Sequence, residues 1–475
     1  MKLVMKFGGA SVADGKRIRK VGELVKAFAP GNQLAVVVSA MNHVTNSLLR
    51  QAEEAGRGRR EGHMEFINDL WSRHTNALRE SVRDGGIRES TLRLVEGQID
   101  ELDKVLTGIS HIGELTPRSK DYVLSFGERL TAPILSAVLR DMGVKATPYT
   151  GGEAGIVTDD RFGEANPLMN LTTHQVSKRL KPLMEASVVP VVSGFIAVTQ
   201  SGAYTTLGRG ASDFTASILG VALRADEVWV WKDVDGVMTA DPDIAPDARV
   251  MPEISFAEAI EMAHFGAAVI HPRALELAEE HGVPFRVKNT FAPDAPGTLI
   301  TREKHVTPGS VVKATSIIEE VGLITISGAR LSGSPRVAVK VLDILSEVEV
   351  DVLLMAQSSS EANITLAVPR GDLDRAANAL ELALLGSGLV KEITAEADLS
   401  IAAIVGAGMK GTPGVAARLF SAVARKGINV RAIAQGSSEL NISFVVRKDQ
   451  AREAVRTLHD EFGLAQAGAK GGKEA

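Results

Sequence analysis

Over its first 300 residues the chain alternates short β-branched runs with longer amphipathic ones, and this alternation limits its fold more than any other feature. Leu34–Ser39 (LAVVVS), Val188–Val192 (VVPVV), Glu227–Trp231 (EVWVW) and Val283–Val287 (VPFRV) read as strands, since continuous β-branched runs suit a sheet covered on both faces. Ahead of LAVVVS, Ile18, Val21, Leu24, Val25 and Phe28 recur at the helical period. Further helices are predicted over 61–82, 88–107, 126–142, 212–223, 255–264 and 272–281. Strand–helix alternation of this kind predicts an α/β fold, a mainly parallel sheet with helices on both faces. Ligands of such sheets gather beyond the carboxyl ends of the strands, which here are followed by KFGGAS, SAMNHVT, SGF and WKDVDG.

At Pro293–Gly297 the pattern breaks, and a polar stretch runs to residue 315. Beyond it the chain repeats itself: MAQSSSEANI (Met355–Ile364) returns as IAQGSSELNI (Ile433–Ile442), and the same offset aligns ISGA with IVGA. Two copies of one small α+β unit follow from this. The expected domains are therefore 1–300, 316–392 and 393–465, with a disordered tail over 466–475. A net charge of −5 carries no basic excess for a nucleic-acid partner. No apolar run reaches the ~18 residues of a membrane span, and Lys6 interrupts the stretch after Lys2 that a secretory signal would need. With no cysteine, thiol chemistry and cysteine zinc sites are excluded. The ten histidines show no metal-ligand spacing, so no metal site is expected, and His271 before Pro272 reads as structural. These bounds describe a cytoplasmic enzyme.

Several segments carry candidate chemistry, each with a plainer alternative. A strand running through Lys6 into Gly8-Gly9 turns backbone N–H groups and a cation towards an anion, or is a tight turn with a surface lysine. No GxxxxGK[ST] loop occurs. TTLGRGASD (Thr205–Asp213) sets Arg209 between two glycines, ahead of Ser212 and Asp213. That arrangement suits a bidentate grip on a carboxylate, or an N-capped turn. FGERL (Phe126–Leu130) places Glu128 at a helix opening, where it favours the helix dipole or holds an ammonium. Ser39 and Thr45 flank the second strand exit as caps or ligand hydroxyls. GAGMKG (Gly406–Gly411) matches G-x-G-x-x-G, but its repeat partner GARLSG lacks the middle glycine and too few residues follow for a dinucleotide domain.

Taken together, KFGGAS, VVVSA, LTPRSKDYVLSFGERLTA, SGF, TTLGRGASD, DVDGVMTADP, FGAAVIHPRA and VKNTF resemble, in order and spacing, the aspartate kinase family of the amino-acid-kinase superfamily. The repeated unit resembles the paired ACT domains of the same enzymes. The resemblance implies an amino-acid-kinase fold followed by two α+β ACT units. It also implies phosphorylation of the β-carboxylate of L-aspartate by ATP with Mg²⁺, giving 4-phospho-L-aspartate for lysine, threonine and methionine synthesis. Carried onto this chain, Lys6 would face the transferring phosphoryl group with Gly8 and Gly9 donating N–H bonds. Arg209 would hold the substrate α-carboxylate and Glu128 its α-ammonium. Ser39, Thr45 and Ser212 would supply substrate-site hydroxyls, and Asp213 would orient Lys6 or the substrate. Lys232, Asp233, Gly236, Met238 and Asp241 would form the nucleotide wall.

The chain departs from the family pattern at Asp243, where arginine is frequent, and at Ala268, where lysine is frequent; both changes remove a cation that would touch ATP. Ala211 also replaces a common glycine. In the ACT units, Gln357, Ser358, Gln435 and Asn441 are the expected effector residues. A glutamine amide both donates to and accepts from a hydroxyl, which suits threonine over lysine, and apolar Leu353 stands where the lysine-sensitive pattern has an aspartate. A homodimer or higher even homo-oligomer is expected, and a homoserine dehydrogenase module is not. The competing readings are a kinase of glutamate or acetylglutamate, and a catalytically silent amino-acid sensor.

Overall fold

The computed structural model describes residues 1–208, 210–266, 270–302, 311–328, 335–357, 363–385 and 390–465. Arg209, Ala268, Ser358 and the 466–475 tail thus lie outside the described residues. The chain divides into two units. The first comprises Met1–Val237, Met251–Phe256 and Val269–Glu303; the second comprises Met238–Val250, Ala257–Ala268 and the residues from Lys304 onward.

KLVMKF forms β1 (Lys2–Phe7), whose Leu3, Val4, Met5 and Phe7 are fully buried at the centre of the first unit. It belongs to an eight-stranded sheet with β2 (Gln33–Val38), β3 (Ala146–Tyr149), β5 (Val189–Ser193), β8 (Glu227–Lys232), β9 (Glu253–Ser255), β10 (Phe285–Asn289) and β11 (Thr298–Thr301). A small separate sheet holds β4 (Val157–Thr158), β6 (Ile196–Thr199) and β7 (Tyr204–Thr206). The large sheet runs β3-β5-β2-β1-β8-β10-β11-β9, parallel as far as β10, with β10 and β11 antiparallel. The predicted strands therefore exist and pair in parallel, as continuous β-branched runs require.

The helices of this unit are α1 (Gly15–Phe28), α2 (Val44–Gly56), α3 (His63–Ser81), α4 (Gly85–Ile112), α5 (Pro117–Asp141), α6 (Gly151–Ala154), α7 (Met169–Glu185), α8 (Ser212–Leu223) and α10 (Pro272–His281). All but the first residue of α9 (Phe256–His264) fall in the second unit. Every residue of α8 is buried, as expected of a helix apolar on all sides. The sequence placed its bounds correctly, but it erred at α5. That helix starts at Pro117 rather than 126, because the Thr116 hydroxyl caps Ser119 N–H and proline is pre-organised for a first turn. Glu128 consequently sits in mid-helix, and the dipole reading of FGERL falls. Helices α2 and α7 were absent from the prediction, since each buries only a narrow stripe, such as Thr172, Val176, Leu180 and Met184.

Gly151 opens α6 against the backbone of β6, and a Cβ there would lie 1.9 Å from the Ile196 carbonyl oxygen. That oxygen cannot retreat without disturbing the β4–β6–β7 sheet. Gly151→Ala is therefore expected to destabilise the protein by at least about 1–3 kcal/mol. Gly85→Ala, whose Cβ meets nothing within 4 Å, should be neutral or mildly stabilising. Denaturant midpoints of the two variants check this.

In the second unit, β12 (Ala314–Ser327), α11 (Pro335–Glu347), β13 (Leu354–Gln357), β14 (Asn363–Pro369) and α12 (Leu373–Leu384) are followed by β15 (Glu392–Val405), α13 (Val415–Arg425), β16 (Ala432–Ala434), β17 (Asn441–Arg447) and α14 (Lys448–Glu461). The sequence repeat is thus a repeat of β-α-β-β-α order. Its strands form one antiparallel sheet, β13-β14-β12-β15-β17-β16, in which each strand's repeat partner takes the mirrored place. Ile324, Val341, Leu366 and Leu380 fill one core, and Ile404, Leu419, Phe444 and Leu458 fill its counterpart. The sheet's other face buries Val321, Leu323, Leu399, Ile401 and Val445, with Phe265 against them. GAGMKG leaves the end of β15, and its Ala407 N–H donates to the Glu258 carboxylate at 2.8 Å. Among the described residues no helix is long and apolar enough to cross a membrane.

Candidate active site

The carboxyl ends of β1, β2, β5 and β8 open onto one cleft of about 570 Å³ within the first unit. Parallel strands aim their C-terminal loops to one side of a sheet, so segments far apart in sequence share this space. Lys6, Gly8, Gly9, Ser39, Thr45, Glu128, Ser212, Asp213, Lys232 and Asp233 all line it. So does Gly210, beside Arg209. Gly236, Met238 and Asp241 do not line it, and the last two belong to the second unit.

Charge in the cleft is organised around Asp213. Its Oδ1 lies 2.6 Å from Lys6 Nζ, its Oδ2 lies 3.4 Å from Lys232 Nζ, and the backbone N–H of His271 donates to Oδ2 at 3.4 Å. Burial alone would raise the Asp213 pKa, yet Lys232 and Lys6 together hold it at about 2. Burial pulls the Lys6 ammonium below its usual range, and the Asp213 charge opposes that pull. One carboxylate thus keeps two cations together in a desolvated place.

Glycine brings the backbone to this cluster. A Cβ on Gly9 would meet the Ala40 carbonyl oxygen at 3.1 Å, while Gly8 lies beside Lys6 Nζ. The short helical turn after Gly8 is tied to the exit of β10 by Ser11 Oγ and Thr290 Oγ1, 2.7 Å apart. In LGRG, Gly208 and Gly210 take φ values of +98° and +77°, where a side chain would strain the backbone.

Glu128 has the opposite electrostatics to Asp213. It is 3% exposed, and burial pushes its carboxyl up to about 8, although the Ala40 N–H, its own N–H and Lys6 each pull it down. Its Oε2 has no hydrogen-bond partner. A buried acceptor without a donor, facing a cleft, fits a cationic ligand group.

Asp121 was missed. It is fully buried and accepts hydrogen bonds from Gly163 N at 2.8 Å, Thr206 N at 2.9 Å and Thr206 Oγ1 at 2.7 Å. It thereby ties Gly163 and Thr206, both of which line the cleft, to α5. The signal was available: Asp121, Leu124 and Glu128 stand at i, i+3 and i+7 of one helix and all line the cleft. Lys120, Asn42 and Asn46 line it as well.

The expected effector residues lie in the second unit. Gln357 ends β13 and Gln435 follows β16, both exposed at the outer strands. Asn441 opens β17, is largely buried and donates to the Glu261 carboxylate.

The amino acid kinase family model matches residues 1–289, and an ACT domain model matches 324–384 and 403–462. Aspartokinase 1, chloroplastic, of Arabidopsis thaliana is 35% identical, over 97% of this chain and 80% of that protein. Aspartokinase 2, chloroplastic, of the same plant is 36% identical, over 97% and 84%. The crystal structure of E. coli aspartokinase III in complex with aspartate and ADP (R-state) is 29% identical and covers 97% of this chain and 99% of its own, with a TM-score of 0.82. Matched in both halves, in the same order and almost from end to end, the chain belongs to the aspartokinase family.

Proposed function

We propose that the cleft transfers the γ-phosphoryl group of ATP, delivered as its Mg²⁺ complex, to the β-carboxylate of L-aspartate. The supporting observation is the Lys6–Asp213–Lys232 cluster, which lines the same cleft as the unpaired Glu128 Oε2. A free aspartate side chain, with a reference pKa of ~3.9, is already ionised at neutral pH and needs no general base. Its oxygen attacks the γ-phosphorus, the bond to the β,γ-bridging oxygen breaks, and ADP leaves with that electron pair. The obstacle is repulsion between two anions, so catalysis rests on positioning and neutralisation. Lys6 neutralises the phosphoryl oxygens, Gly8 and Gly9 donate N–H bonds, and Lys232 with Asp233 serves the nucleotide. Glu128 takes the substrate α-ammonium, Arg209 its α-carboxylate, and Ser39, Thr45 and Ser212 bond the remaining oxygens. Aspartate-dependent ADP release, with the acyl phosphate trapped as its hydroxamate, is the expected result. Turnover with glutamate or acetylglutamate and none with aspartate would overturn the reading.

The second unit is read as the regulatory half, with L-threonine as effector and the ACT units pairing between chains in a homodimer or larger even assembly. Gln357 and Gln435 offer an amide at mirrored places of the sheet, whereas Leu353 packs into its apolar face and presents no carboxylate to a lysine. E. coli aspartokinase III has been crystallised in complex with lysine and aspartate (T-state), which makes lysine the competing effector. Threonine is expected to inhibit, and Gln357→Ala or Gln435→Ala to relieve that inhibition. Inhibition by lysine with none by threonine would sink the choice.

A further inference from the structure

The C-terminal end of α14 meets the loop Met238–Val250 within the second unit. There, ligand atoms of Asp247, His459 and Asp460 lie within 4.8 Å of one another. His459 is fully buried, while both aspartates are exposed. The histidine Nε2 is 3.1 Å from Thr239 Oγ1. That hydroxyl also accepts the Arg249 backbone N–H at 3.1 Å and lies 3.2 Å from the Leu464 carbonyl oxygen. In the tautomer whose Nε2–H donates to Thr239 Oγ1, Thr239 donates to the Leu464 carbonyl, which Arg249 Nε also reaches at 3.3 Å. This leaves the Nδ1 lone pair free. Nδ1 has no hydrogen-bond partner and stands 3.7 Å from Asp247 Oδ1. A lone pair turned towards carboxylates is repulsive unless a cation lies between them.

From this geometry we propose that Asp247, His459 and Asp460 bind one divalent transition-metal ion of the Mn²⁺, Co²⁺ or Zn²⁺ class and so pin the loop Met238–Val250 to the end of α14. One imidazole with two carboxylates suits these metals better than all-oxygen Mg²⁺ or Ca²⁺. Metal–ligand bonds of ~2.0–2.2 Å place donors about 3–4 Å apart, so the cluster closes by small movements of the two exposed aspartates. The Thr239 contact is the outer hydrogen bond that sets the tautomer of a metal-ligating histidine. The end of α14 favours a cation as well, since unpaired carbonyls leave a helix C-terminus partially negative. Histidine spacing could not reveal the site, because its third ligand comes from a distant loop.

The test uses the full-length chain, stripped with a chelator, free of nucleotide, and dialysed against Mn²⁺, Co²⁺ or Zn²⁺ in turn. Metal content by mass spectrometry and the visible spectrum of the Co²⁺ form are read together. The parent is expected to hold one equivalent more than Asp247→Asn, Asp460→Asn or His459→Gln, and its Co²⁺ band to vanish in the variants. The two aspartates are exposed, so their variants keep the test valid even where His459→Gln fails to fold. Equal metal content in parent and aspartate variants, or none retained by the parent, overturns the proposal.

Discussion

Lys6→Met is expected to leave the chain folded and to lower aspartate-dependent turnover about 10²–10³-fold, the loss typical of removing one preorganised group that faces developing charge. Lys6 is 4% exposed, and methionine replaces most of its stem. Asp213 is not orphaned by the change, because Lys232 remains 3.4 Å from its Oδ2. The defect should therefore fall on kcat, with the KM for aspartate little changed, since the ammonium is assigned to the phosphoryl group and not to the amino acid. Steady-state kinetics with a thermal melt on the same preparation separate this outcome from simple unfolding. A variant turning over within a few-fold of the parent would remove Lys6 from the mechanism.

Glu128→Gln should have the second largest effect, and an unusual pH signature. With the α-ammonium of aspartate as its partner, the lost charged hydrogen bond is worth about 1.5–3 kcal/mol, or roughly a 10- to 150-fold rise in the KM for aspartate. Burial holds the carboxyl at about 8, so at neutral pH it must lose a proton before it can pair. Aspartate binding to the parent should then release a proton and tighten from pH 6 towards pH 8, while the glutamine variant stays flat. Calorimetry in buffers of different ionisation enthalpy measures that proton. Stability moves the other way. Between 4.5, the ordinary value, and about 8 the folded state keeps a proton that the unfolded chain has released, so unliganded stability falls as pH rises through that window. The glutamine variant carries no such penalty and should melt above the parent at pH 8, though it binds aspartate worse. A melting difference independent of pH would contradict the buried, protonated state.

Much of this site was legible because its parts are local. A short apolar run ending in Lys6 and two glycines announces a strand exit near an anion, and the same logic applies to Ser39 and to Lys232-Asp233. The bounds of α8 followed from the mainly apolar stretch FTASILGVAL after Ser212-Asp213. What failed was also local. Thr116-Pro117 is a helix start that went unread, and with it went the recognition that Asp121 shares a helix face with Glu128.

The sequence by itself determined the α/β alternation, the doubled C-terminal unit and the set of polar residues at the strand exits, since each depends on the chemistry of neighbours along the chain. Tertiary structure alone decided which of two acids is charged. Asp213 is depressed because β1 and β8 bring two ammonium groups to it, and Glu128 is raised because mid-helix burial denies its Oε2 a donor. Ionisation follows from desolvation and from charges a few ångströms away in space, and those neighbours are set by how the strands lie side by side.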